Sequence, residues 1–163
     1  MQVFVIAVTV ALVVSFMCSI FESVLLSLSR AQIEGLAEKG RKSGRILKAF
    51  KERIDIPISA ILITNTAAHT IGTAVAGASY ANVFDAESLW IFTLVFTIVV
   101  LLFTEIIPKT LGVAYAEQLV KPVAYGIRAL TVMFKPLVLA SEAVSRSIRG
   151  KDSGPVTSLD EIR

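Results

Sequence analysis

The sequence has little charge and almost no cysteine. Only 18% of its 163 residues are Asp, Glu, Lys or Arg, which is too few for the surface of an ordinary soluble domain. The single cysteine, Cys18, cannot form a disulfide within the chain and is interpreted as a small buried hydrophobic residue. The net charge of +3 comes from basic residues between apolar stretches, which is typical of a cytoplasmic membrane face and argues against nucleic-acid binding.

Long apolar stretches make up most of the chain. Hydrophobic residues account for 55% of it, the mean hydropathy is +0.73, and about 20 apolar residues suffice to cross the hydrocarbon core. Asp55 and Pro57 mark the start of a helix, and we expect Pro108 and Lys109 to stop another. The first stretch has no basic leader or small-residue cleavage site, so we expect it to be retained. The predicted spans are residues 3–28, 56–81 and 89–107.

The two loops between these spans differ in charge. In residues 30–53 basic residues greatly outnumber acidic ones, whereas the short link 82–88 contains Asp85 and Glu87 and no basic residue. The positive-inside rule therefore predicts that the first loop is cytoplasmic, with the N-terminus outside and the C-terminus inside.

A further apolar segment, residues 118–149, carries a charged residue at every seventh position. Seven residues return to nearly the same face of a helix, and Pro122 and Pro136 interrupt the segment. We therefore predict a belt helix at the cytoplasmic interface, not a fourth span. Residues 151–163 turn polar and acidic, which is typical of the opening of another helix. The charged positions are Lys121, Arg128, Lys135, Glu142 and Arg149.

The predicted fold is an all-α membrane protein with three transmembrane helices, short cytoplasmic juxtamembrane helices and an interfacial belt helix. Residues 1–150 form its transmembrane domain, located in the cell membrane. Three helices are too few to enclose a hydrated cavity and also shield it from lipid. We therefore expect a twofold homodimer, packed partly through the second and third spans.

Several oxygen-bearing side chains lie inside the predicted spans, where polar groups are costly and indicate function. Ser19 and Ser23 are one turn apart in the first span, Asn65 is about 13 Å into the second, and Glu105 is near the cytoplasmic end of the third. A helix broken by proline also frees backbone carbonyls, and that of Thr104 lies beside Glu105. Oxygen ligands of these kinds favour Mg²⁺ or Ca²⁺ over zinc or copper.

Each of these residues also has a structural interpretation. Ser19 and Ser23 can bond to their own helix backbone or allow close packing, and Asn65 can join two helices. His69 is more typical of a hydrogen-bonded core histidine than of a ligand. The role of Glu22 is open between an ion pair and a gate. An intramembrane hydrolase is disfavoured because the sequence has no G-x-S-x-G nucleophile turn, so we expect no enzyme activity.

Three segments together resemble a known family: SIFESVLLSLSR in the first span, LITNTAAHTIG in the second and TEIIPKTLG at the end of the third. They resemble the transmembrane domain of the CorB/CorC and cyclin M (CNNM) magnesium transporters, and the resemblance covers nearly the whole chain. It implies a homodimer of three-span protomers with a belt helix. It also implies that residues 151–163 begin a linker to cytoplasmic regulatory CBS domains, which lie outside this chain and bind nucleotide.

The resemblance further implies a dehydrated Mg²⁺ in a cavity open to the cytoplasm, held by oxygens of Ser19, Ser23, Asn65 and Glu105. Thr104 stands where many relatives have glycine. Export of Mg²⁺, often discussed as coupled to Na⁺, is the implied activity. The alternative is a membrane-embedded Mg²⁺ sensor or anchor for cytoplasmic domains, without net transport.

Overall fold

The described part of the chain is helical, with no strand among residues 2–81, 86–140 and 143 of the computed structural model. This confirms the predicted all-α class. A short 3₁₀ turn, Ala86–Ser88, precedes the third span, and residues 135–140 are also helical. The helices in chain order are α1 (Gln2–Ser27), α2 (Arg30–Glu38), α3 (Lys42–Glu52), α4 (Asp55–Ala81), α5 (Leu89–Val100), a π-helical segment (Leu101–Ile106), α6 (Ile107–Ala114) and α7 (Ala116–Met133).

Three helical stretches are long and apolar enough to cross a membrane, as predicted. They are Val8–Ser27, Asp55–Ala81 and Leu89–Ala114. The third extends beyond the end predicted at Ile107, because the helix continues through Pro108 as α6. Pro108 lies in the first turn of α6, where a missing N–H costs least. The irregularity lies just before the proline, as the π-helical segment.

Helix α1 lies at the centre of the bundle and packs against α4, α6 and α7. In the apolar 18-residue stretch of the first span 39% of the residues are buried, whereas in that of the third span only 6% are buried. Apolar side chains of α5 therefore remain uncovered within one chain, and lipid or a second subunit must cover them. The buried core comprises Cys18, Phe21, Val24, Leu25, Leu28, Ile33, Leu47, Ile61, Val120, Val123, Ala124 and Ile127.

The short helices α2 and α3 follow α1 and meet the belt helix α7. Ser29 caps α2 in a capping box, in which its hydroxyl accepts from the Gln32 N–H and the Gln32 side chain accepts from the Ser29 N–H. The Gln32 amide also donates to Glu117 at 2.9 Å. Since α3 packs on α7 as well, these three helices are joined at one end of the bundle.

Helix α7 corresponds to the predicted belt, but it begins at Ala116 and ends at Met133. It continues through Pro122, contrary to the expected break. Pro122 has no N–H to donate to the carbonyl of Gln118, four residues earlier. Gln118 is exposed, so water or a lipid headgroup can donate to that carbonyl instead. Lys121 and Arg128 are exposed as predicted. Lys135 is exposed as well. The last two predicted charged positions, Glu142 and Arg149, and the predicted linker 151–163 lie outside the described residues.

Candidate functional site

The π-helical segment of the third span presents a backbone carbonyl to α1. In a regular α-helix the N–H four residues later would bond to the Thr104 carbonyl, but that residue is Pro108, which has no N–H. The Ser19 hydroxyl donates to this carbonyl at 2.5 Å. Both residues are at most 1% exposed. Two of the predicted ligands, the Ser19 hydroxyl and the Thr104 carbonyl, are therefore in direct contact.

The second and third spans meet through an amide and a carboxylate. The Asn65 side-chain amide donates to Glu105 Oε1 at 3.2 Å, and Asn65 Oδ1 accepts from the Ser15 hydroxyl at 2.6 Å. Because Glu105 directly follows Thr104, these contacts lie beside the Ser19 contact. Ser19, Asn65, Thr104 and Glu105, predicted from three different spans, are thus brought together.

Sequence reasoning missed Ser15 at this site. Its Oγ lies 2.8 Å from Nε2 of His69, and the same nitrogen lies 3.5 Å from Glu105 Oε1. The sequence spacing could have predicted this position, because Ser15, Ser19 and Ser23 follow each other at intervals of four residues and share one face of α1. His69 is about a third exposed, at 29% of its side chain, so it borders the site and is not enclosed in the core.

Ser23 is placed differently from the other predicted ligands. Its hydroxyl donates back to the Ile20 carbonyl in its own helix at 3.0 Å, which is the structural role that serines often have in membrane helices. Helix α6 lies directly against it at Gly112, where an added Cβ would collide with Ser23 Oγ. Gly112 therefore permits the close contact of α1 and α6 beside the site.

Two further charged groups flank Glu105. The Lys109 ammonium lies 2.9 Å from Glu105 Oε2 and 3.2 Å from Glu22 Oε2. The open question about Glu22 is thereby answered for this structure, since it forms an ion pair with Lys109. The site contains two carboxylates bridged by one ammonium group.

The donor set fits a hard divalent cation. The candidate ligands are oxygens, and among the residues that the structure describes no group of three or more His, Cys, Asp or Glu side chains is placed to hold a metal. Neighbouring ligands of an octahedral Mg²⁺ are about 2.9 Å apart at metal–oxygen distances near 2.1 Å. Ser19 Oγ and the Thr104 carbonyl oxygen are 2.5 Å apart, which is somewhat closer than this separation. The Asn65 amide nitrogen lies 3.2 Å from Glu105 Oε1, so rotation of the amide would bring its oxygen to a similar distance.

One ligand must reorient to take part. Asn65 turns its NH₂ group toward Glu105 and its oxygen toward Ser15, whereas a cation beside Glu105 requires the oxygen. A hydroxyl both donates and accepts, so after rotation of the amide Ser15 can accept from Asn65 and donate to His69. The Ser15–His69 contact can accommodate either orientation.

The comparisons with known proteins agree with this architecture. A profile described as the cyclin M transmembrane N-terminal domain matches residues 6–163. The chain is 29% identical over 157 residues to the UPF0053 protein sll1254 of Synechocystis, covering 96% of this chain and 45% of that protein. It is 30% identical over 139 residues to a UPF0053 protein of Haemophilus influenzae, covering 85% of this chain and 33% of that protein.

A third relative, the UPF0053 inner membrane protein YfjD of Escherichia coli, is 27% identical over 127 residues, covering 78% of this chain and 30% of that protein. The chain therefore spans less than half the length of each of these relatives. Its three apolar helices make it a multi-pass membrane protein. Because the profile match covers nearly all of the sequence, the chain belongs to the family of cyclin M transmembrane N-terminal domains.

Proposed function

We propose that this domain carries Mg²⁺ across the cell membrane, in the direction of export, through an all-oxygen site open to the cytoplasm. The observation that supports it most is the convergence of Ser19, Asn65, Thr104 and Glu105 from three spans. A carboxylate inside a membrane helix is costly unless it serves a function or is paired. An ion site accounts for the carboxylate and for the three neutral oxygens beside it.

The residues have distinct roles in this proposal. Glu105 supplies the negative charge that offsets the cost of stripping water from Mg²⁺, an ion that dehydrates reluctantly. Ser19, the Asn65 oxygen and the Thr104 carbonyl replace water ligands at fixed positions. With a single carboxylate the bound ion keeps a net positive charge, which favours release over storage. Rearrangement of the helices around α1 then opens the site to the outside.

The proposal also covers the assembly, location and partners of the domain. The uncovered apolar face of α5, including Trp90, Leu94 and Ile98, suits lipid or a second copy, and we propose a homodimer in the cell membrane with the loop of α2 and α3 in the cytoplasm. The Escherichia coli relative is described as an inner membrane protein, which agrees with that location. Nucleotide would act through further domains and not through this one, and we propose no nucleic-acid partner and no enzyme activity.

Flux in liposomes tests the proposal. The chain, reconstituted in vesicles that contain a Mg²⁺-sensitive dye, should move Mg²⁺ down an imposed gradient, and Glu105→Gln should not. The matched control is Glu52→Gln, which removes an exposed carboxylate from α3. Repeating the assay with an opposing Na⁺ gradient, and with an equal concentration of choline, determines whether Na⁺ is the coupling ion.

The sensor hypothesis predicts a different result from the same samples. A sensor would bind Mg²⁺ with the same dependence on Glu105 but give no flux in any gradient. Binding without flux in vesicles that contain correctly inserted protein would therefore reject transport and favour the sensor.

A further inference from the structure

Lys109 occupies an unusual position between two carboxylates from different helices. It lies in α6, one turn after Glu105 in the π-helical segment, and it also reaches Glu22 in α1. The contact with Glu105 is 2.9 Å and that with Glu22 is 3.2 Å. The first has the length of a charge-assisted hydrogen bond, and the second lies at the long end of the hydrogen-bond range. The proposed transport mechanism gives no role to either Lys109 or Glu22.

We infer that Lys109 is a built-in counterion that holds Glu105 while the site is empty and passes to Glu22 when a divalent cation arrives. This inference rests on the proposed Mg²⁺ site. An ammonium and a divalent ion a few ångströms apart repel each other strongly in a partly buried site. Mg²⁺ therefore cannot bind Glu105 while Lys109 stays on its other oxygen.

The geometry allows this exchange at small cost. The lysine side chain is a flexible four-carbon stem with a single charge at its end, and its ammonium already contacts Glu22. Breaking one contact leaves the other, so the ammonium is never without a carboxylate partner. The Lys109 side chain is 44% exposed, so it has room to move away from Glu105.

The exchange has a consequence for ion selectivity. A divalent cation that replaces the ammonium brings one additional positive charge to Glu105, whereas Na⁺ or K⁺ would bring none. A monovalent ion would therefore have to break the contact between Lys109 and Glu105 without gaining electrostatic energy. Lys109 lowers the affinity of the site for every cation by the same displacement cost, and a monovalent ion, which Glu105 attracts less strongly than a divalent one, is then left with too little attraction to occupy the site.

A double-mutant cycle in Mg²⁺ calorimetry on the purified full chain tests the inference. Lys109→Met should tighten Mg²⁺ binding about tenfold, because Mg²⁺ no longer competes with the ammonium. Glu22→Gln should weaken binding about fivefold in the wild-type background, because the displaced Lys109 loses its second partner. In the Lys109→Met background the same Glu22 substitution should change affinity less than about twofold.

The controls separate this competition from general effects of charge and folding. Lys48→Met removes a lysine of similar exposure, paired with Glu34 at 3.7 Å on the helices outside the site, and should leave affinity unchanged. Lys109→Gln keeps a polar end and should repeat the tightening if the methionine variant folds poorly. Na⁺ should compete with Mg²⁺ in Lys109→Met more than choline does at equal ionic strength, and should not do so in the wild type.

Three results would overturn the inference. Unchanged or weaker Mg²⁺ binding by both Lys109 variants would show that the lysine supports the site and does not compete for it. An equal effect of Glu22→Gln in both backgrounds would show that Glu22 acts on the ion directly. No Mg²⁺ binding by the wild-type chain would reject the proposed site together with the inference, whereas the first two results reject the inference alone.

Discussion

The Ser19 hydroxyl donates a 2.5 Å hydrogen bond to the carbonyl of Thr104, the residue four positions before Pro108. The proline removes the regular α-helical partner of that carbonyl, and α1 supplies another. Both groups are buried, so the contact joins the first and third spans where water cannot substitute for either partner. The same two oxygens are two of the three neutral ligands in the proposed ion site.

Removal of the Ser19 hydroxyl should therefore reduce stability. Ser19→Ala leaves the buried Thr104 carbonyl without this donor and should lower the free energy of unfolding by about 1–3 kcal/mol. Thermal unfolding in detergent measures the change. Thr93→Ala is the control, because Thr93 is exposed and bonds to Leu89 of its own helix, and it should change stability by less than about 0.5 kcal/mol. Equal effects of the two variants would contradict the prediction.

The negative charge of Glu105 should dominate ion binding. Glu105→Gln keeps the size and one oxygen but removes the carboxylate, and we expect it to abolish Mg²⁺ binding in calorimetry while the protein stays folded and dimeric. Asn65→Ala should weaken binding less, because water can replace one neutral ligand. Ser23→Ala should change binding least, because the Ser23 hydroxyl bonds to its own helix. Size exclusion checks the assembly of each variant. If Glu105→Gln bound Mg²⁺ as well as the wild type, the site would be wrongly assigned.

The selectivity of the site among metals follows from its oxygen ligands. Thermal stabilisation of the purified chain should be greatest with Mg²⁺ or Ca²⁺ and small with Zn²⁺ at equal free concentration, since zinc prefers imidazole and thiolate. The same series on Glu105→Gln is the control, and it should show no stabilisation by Mg²⁺. Stronger stabilisation by zinc than by Mg²⁺ in the wild type would reject an all-oxygen site.

The contact of α1 with α6 should be intolerant of any side chain at residue 112. Gly112→Ala places a Cβ in the position of Ser23 Oγ, so the helices must separate, and we expect a loss of about 1–3 kcal/mol in unfolding free energy. Gly35→Ala is the matched control, because a Cβ there meets nothing within 4 Å. Ser23→Gly added to Gly112→Ala should restore part of the lost stability; no rescue would mean that another contact is responsible.

The orientation of the chain is a prediction that labelling can test. A cysteine at Glu87 should react with an impermeant thiol reagent from outside intact cells, and one at Lys42 should react only after permeabilisation. Both positions are exposed, so accessibility does not confound the comparison. Native Cys18 is 1% exposed and the unmodified chain should stay unlabelled. Labelling of both engineered cysteines in intact cells would reject the topology.

The sequence by itself determined the number and nature of the spans and the chemistry of the candidate ligands. A helix in lipid pairs all of its backbone hydrogen-bonding groups internally, so the length of an apolar stretch is enough to predict a span. The predicted spans 3–28 and 56–81 accordingly agree with α1 and α4 to within one residue. The rarity of polar groups inside the spans likewise singled out Ser19, Asn65 and Glu105. Pro108 marked the irregular turn, although its form, a π-helical segment before the proline, was not predicted.

Only the tertiary structure decided which of these residues meet. Rotation and tilt of one helix against another depend on packing, here on the contact at Gly112, and the sequence of one helix does not fix them. That packing brings Ser15 and His69 to Asn65 and turns Ser23 toward its own backbone. It also places Lys109 between Glu105 and Glu22. A lysine side chain is long enough to reach several carboxylates, and the position of α1 beside α6 decides that it reaches these two.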